Sequence, residues 1–136
     1  MTDENRRANL KENLERAGQA LAAAETLVAA GLHADAVSRA YYGAYHMLRT
    51  LLLTEGLEPK THRGAIHLFN VHFVLKGLFS SAHNGLLAKL QRSRELADYD
   101  SAVVFSGEDA REDIVAARRF EAYARAFLAS GGWVGA

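Results

Sequence analysis

The chain has 136 residues, 16 basic against 16 acidic, 49% hydrophobic and 24% charged, with one proline and no cysteine. A chain of this length forms one domain and buries about 70% of its unfolded surface, so the core needs no disulfide or structural metal. The missing cysteine excludes thiol catalysis, iron–sulfur ligation and cysteine-based zinc sites. No apolar run reaches the length of a membrane span and no signal-peptide core follows the polar start, so a cytoplasmic protein is expected, with no membrane partner. Acidic and basic residues balance in both halves, and any contact with RNA has to be local.

An alanine-rich, proline-poor composition favours helix throughout. From Asp3 to about Ala30, Leu10, Leu14, Ala17, Leu21, Ala24 and Val28 step by three and four, which predicts a long helix stopped by Gly31. A second helix is predicted from about Ala34 to Glu55 on the stripe Val37, Tyr41, Ala44, Leu48 and Leu51, broken by Gly56 and Pro59. Thr61 caps a shorter third helix carrying Ile66, Phe69 and Phe73. A fourth spans about Ala82 to Asp100 with Leu86, Leu90, Ser93 and Ala97 inward. Ser106 and Asp109 form a capping box that opens the last helix, whose inward face reads Ala116, Phe120, Tyr123 and Phe127. The predicted fold is all-α, an antiparallel bundle of four long helices and one short one over residues 1–130. Residues 131–136 read as a loose tail, in which Trp133 is a lid on the bundle or a dimer contact.

Two places carry candidate chemistry. Arg39, Tyr42, His46 and Arg49 form a second stripe on the second helix, nearly opposite its apolar one. Two guanidinium groups, a phenol and an imidazole on one face can bind phosphate, stack on a base and exchange a proton near neutral pH; they can equally be a helix–helix or subunit contact. On the fourth helix, Arg94 and Asp98 share a face flanking the inward stripe, while Arg92 and Tyr99 share the opposite one. The plain alternative is an intrahelical ion pair beside an exposed tyrosine. His62, His67 and His72 step by five, which spreads them around a helix, and no HExxH motif occurs, so no metal site is expected. Phosphate-loop, dinucleotide and GxSxG signatures are absent, and no cofactor is expected.

Ser38-Arg39-Ala40-Tyr41-Tyr42, Tyr45-His46, His62-Arg63-Gly64, Phe69, Phe73-Val74, Gly77, Arg94 and Ala97-Asp98-Tyr99, in this order, resemble the small prokaryotic HEPN proteins over about residues 10 to 130. The resemblance implies a homodimer, and pairing with a minimal nucleotidyltransferase in a two-gene toxin–antitoxin module. It implies a metal-independent ribonuclease whose motif is an arginine followed after a few residues by a histidine; here Arg94 and Asp98-Tyr99 are present and that histidine is not. The literal spacing recurs at Arg39 and His46, and a composite site bringing His46 to Arg94 is one expectation. The catalytic candidates are therefore Arg94, Asp98 and His46, with Arg39, Tyr42 and Arg92 binding RNA or nucleotide and Tyr99 as the position the partner would adenylylate. The missing histidine favours a non-catalytic nucleotide-binding module instead. A purely structural dimerisation domain is expected if Arg39, Tyr42 and His46 are buried against one another with every polar atom paired.

Overall fold

The computed structural model describes residues 2–135, in which five α-helices run in the order α1 (Asp3–Ala29), α2 (His33–Thr54), α3 (His62–Phe69), α4 (Ser81–Tyr99) and α5 (Gly107–Ser130). A π-helical turn, Asn70–Val74, prolongs α3, and no strand occurs among the described residues. The antiparallel four-plus-one bundle expected from the sequence is the fold found. No helix among the described residues is long and apolar enough to cross a membrane.

Local chemistry sets the ends of these helices. Gly31, at φ 80°, closes α1, where the Leu32 N–H donates to the Leu27 carbonyl at 2.9 Å and turns the chain straight into α2. Thr61 accepts from the Gly64 N–H at 2.9 Å, which fixes the first turn of α3 and with it the position of His62. The Ser106–Asp109 capping box opens α5 with both of its bonds at 3.0 Å.

α2 is the axis of the bundle and packs on α1, α4 and α5. Val37, Tyr41, Ala44, Leu48 and Leu51 are buried as their stripe predicts. α1 lies against it most closely at Gly43, where a Cβ would stand 2.5 Å from Leu21 Cγ. At the other end Phe69, Phe73, Phe79 and Phe120 are buried ring against ring, with centroids 5.3–6.4 Å apart.

Two stripes are rotated from their predicted phase. α4 turns Leu87, Leu90, Gln91 and Arg94 inward rather than Leu86, Leu90, Ser93 and Ala97. The apolar set on this helix is sparse enough to fit either phase, and the tyrosine rings of α2 offer Arg94 a buried seat that a count of apolar residues does not see. In α5 the buried line is Ala110, Asp113, Ile114, Ala117, Phe120, Glu121, Ala124 and Leu128, which leaves Tyr123 exposed. Glu121 is admitted to this line because Arg118 and Arg125 bind its carboxylate at 3.0 and 3.1 Å. Near the C-terminus Trp133 and Val134 pack against the core, and Arg7 sits 4.7 Å over the indole, the lid arrangement of the two expected for Trp133.

Candidate functional site

Two elements, α3 and α4, converge on the middle of α2. Its own spacing places Tyr41, Tyr42 and Tyr45 toward the start of α3 and the last turns of α4. Tyr41, only 2% exposed, puts its hydroxyl in a short hydrogen bond with Nδ1 of His62. Burial pushes the Tyr41 hydroxyl well above the usual phenol range, so it stays protonated and donates. Burial, then the charges of Arg94 and Arg49, holds the imidazole of His62 below its ordinary range and therefore neutral. A neutral ring that accepts at Nδ1 carries its proton on Nε2. His62 also stacks on Tyr45 at 4.2 Å between centroids, 28° from parallel.

Arg94 enters this cluster from α4. Its guanidinium carbon lies 5.1 Å from the Tyr41 ring centroid, 5.8 Å from that of Tyr42 and 5.9 Å from that of Tyr99. Nη1 meets Asp98 Oδ2 at 3.6 Å, a loose ion pair. Arg94 is 8% exposed, and its Nε is buried with no hydrogen-bond partner among the described residues. A buried guanidinium N–H left unpaired is a costly arrangement, of the kind that functional sites retain. Arg39 stacks over the outer face of Tyr42 at 4.7 Å. Beside Arg94 lies an open depression of about 600 Å³, lined by Arg92, Arg94, Glu95, Leu96, Tyr99 and Asp100.

The structure thus brings together Arg94, Asp98, Tyr42, Arg39, Arg92 and Tyr99. Arg94 does not flank the inward face of α4, as the sequence implied, but forms part of it. His46 stands apart from this cluster. Its Nδ1 is 3.1 Å from Asn13 Oδ1 on α1, and its ring lines cavities between α1 and α2. Arg39, Tyr42 and His46 accordingly form no closed, mutually paired cluster, and Arg39 is exposed. Sequence reasoning gave His62 no role in this site: it named the residue within the family resemblance and otherwise weighed it as a metal ligand. The available signal was the N-cap at Thr61, which orients the first turn of α3 toward the tyrosines of α2.

Residues 10–127 match the HEPN domain model. The chain belongs to the HEPN domain family. Among its HEPN-type relatives, a Methanocaldococcus jannaschii protein named "Putative toxin MJ0605" is 38% identical over 93 residues, covering 68% of this chain and 69% of its own. "UPF0332 protein glr0978" of Gloeobacter violaceus is 36% identical over 117 residues, 85% of this chain and 93% of its own. "Putative toxin MJ0142", also of M. jannaschii, is 30% identical over 101 residues, 74% of this chain and 69% of its own. In this HEPN chain no histidine follows Arg94 on α4, and the nearest imidazole link comes from α3, where His62 bonds the Tyr41 whose ring Arg94 faces at 5.1 Å.

Proposed function

We propose that this HEPN protein is a toxin-like effector that cleaves RNA at the Arg94 centre without a metal ion. The observation that carries the reading is a buried arginine whose Nε lacks a partner among the described residues, which lines a depression and shares Tyr41 with His62. Two relatives named as toxins support the same direction. RNA supplies its own nucleophile in the 2′-hydroxyl, so the protein has only to move a proton and hold the charge of the phosphorane. In this scheme Asp98 takes the 2′-hydroxyl proton, and the oxygen attacks phosphorus. Arg94 and the Nε2–H of His62 hold the equatorial oxygens. The 5′-oxygen leaves with a proton from solvent, and the products end in a 2′,3′-cyclic phosphate and a 5′-hydroxyl.

The test is incubation of purified protein with cellular RNA in the presence of a chelator, followed by end-group analysis. Fragments with cyclic-phosphate ends are expected, falling about a hundredfold or more in Arg94→Lys and in His62→Gln. Intact RNA and normal growth on induction, from a folded wild-type chain, would sink the cleavage reading. Nucleotide binding measured by calorimetry in that case would make the chain a non-catalytic binding module.

Control by a nucleotidyltransferase partner belongs to the same proposal, and Tyr99 carries it. The phenol is 77% exposed and borders the depression beside Arg94, so an attached AMP would place a phosphate and a large group across the entrance. A mass gain in the presence of the partner that disappears in Tyr99→Phe is the expected result. Homodimer formation belongs to the same proposal, and light scattering of the purified chain tests it.

A further inference from the structure

Along the seam between α1 and α2 the surface opens into two adjoining cavities of about 310 and 290 Å³. Both are lined by Arg16 and His46, so they form one groove. Asn13, 7% exposed, sets the ring of His46. Its Nδ2 donates to the Asn9 carbonyl at 2.9 Å, which leaves Oδ1 facing the imidazole 3.1 Å away as an acceptor. Nδ1 of His46 therefore carries the hydrogen, and Nε2 is the nitrogen left uncommitted.

The charges in the groove are unevenly placed. Glu12 and Glu58 line the half that contains Arg49. The other half holds Arg16, Gln19, Ala20, Ala23, Arg39 and His46, with no carboxylate. Arg39 has no ion-pair partner among the described residues. Arg16 gives Nε and Nη2 to Glu12 Oε1 at 3.2 and 3.0 Å and keeps its Nη1 donors. Arg39 also stacks on Tyr42 at 4.7 Å, and the Arg94 guanidinium lies 5.8 Å from the same ring, so one tyrosine links the groove to the Arg94 centre.

We propose that this half-groove is a phosphate subsite, in which Arg16, Arg39 and Nε2 of His46 hold a backbone phosphate of the RNA strand whose scissile phosphate lies at Arg94. The assignment rests on the RNA-cleaving reading above and adds a binding role for residues away from the reacting bond. It also makes binding proton-linked. Burial, then Arg49, Arg16 and Arg39, holds His46 below its ordinary range, with Glu12 opposing them; Glu58 and Asn13 complete its charged and polar surroundings. An anion between the guanidinium groups reverses that bias, so the imidazole takes up a proton as phosphate enters and becomes a third donor.

Two probes separate this proposal from the reading beneath it: inorganic phosphate, followed through the His46 ring resonances assigned with His46→Asn, and a short labelled single-stranded RNA, followed by anisotropy over a range of salt. The expected result is a His46 resonance that moves with phosphate and titrates at higher pH when phosphate is bound. Arg16→Gln and Arg39→Gln should each weaken RNA binding about tenfold and lower the salt slope by about one. Arg16 is remote from Arg94 and half-exposed, so its variant tests the groove with little risk to folding. RNA bound equally by wild type and both variants overturns the subsite and leaves cleavage at Arg94 standing, as does a His46 resonance indifferent to phosphate. A phosphate response without any RNA binding by the wild type overturns the strand assignment and the RNA reading together.

Discussion

Arg94 and His62 sit close enough that the guanidinium charge is one of the causes holding the imidazole neutral. Arg94→Gln therefore has an effect that can be read without any substrate: the pKa of His62 should rise toward 6.5. His83, whose depressed pKa comes from burial alone, should stay where it is. Ring-proton titration by NMR checks both in one experiment. Tyr41→Phe keeps the ring packing and deletes the donor to Nδ1, a loss of about 1 kcal/mol of stability, measurable by urea denaturation. Individual residues were unequally legible in the sequence. Arg94, Asp98 and Tyr99 announced themselves by order and spacing on one helix. His62 did not, because its role depends on a contact with a tyrosine 21 residues earlier, across a helix–helix junction.

At the scale of elements, the seam between α1 and α2 leaves no room for a side chain at Gly43. A side chain at Gly43 would collide with Leu21, itself wholly buried and hemmed in by the core. Gly43→Val is expected to cost about 2 kcal/mol or more through overpacking, seen as a lower urea midpoint at an unchanged slope. At the start of α5, Ser106→Ala removes half of the capping box and should cost about 1 kcal/mol, a smaller drop in the same assay. Helix existence and most helix ends were readable from the sequence, because glycines, caps and three-four spacing act locally. The faces of α4 and α5 were not, since burial of Arg94 and Glu121 is decided by partners on other helices or by ion pairs, not by side-chain polarity. The π-helical turn at Asn70–Val74 was also unforeseen; Phe69 and Phe73 are both buried across it, an arrangement that spacing alone does not distinguish from ordinary α-helix.

For the molecule as a whole, His46, His62 and His83 all have pKa values lowered by burial in the folded state. Between those lowered values and about 6.5 the unfolded chain binds more protons than the folded one, so stability rises with pH across that window. It is complete above about pH 6.5 and is lost as pH falls toward the folded-state values. Asp109, held below 3.8 by its bonds to Ser106, adds a further loss only in stronger acid. Thermal melts followed by circular dichroism should show a lower Tm at about pH 5.5 than at about pH 7.5, with a smaller difference in His46→Gln.

The closure over the bundle's end has an optical consequence. Trp133 is the chain's one tryptophan; Arg7 of α1 sits over its indole, and its backbone N–H donates to the Leu128 carbonyl of α5 at 2.9 Å. Indole emission consequently reports on whether the first turn of α1 and the last of α5 stay joined, while the far-ultraviolet signal reports on all five helices together. Because Trp133 lies at the edge of the core, partly exposed and held to α1 by Arg7, the fluorescence transition should come at lower denaturant than the helical one. The protein thus carries a native gauge of fraying at its two chain ends, readable without any label.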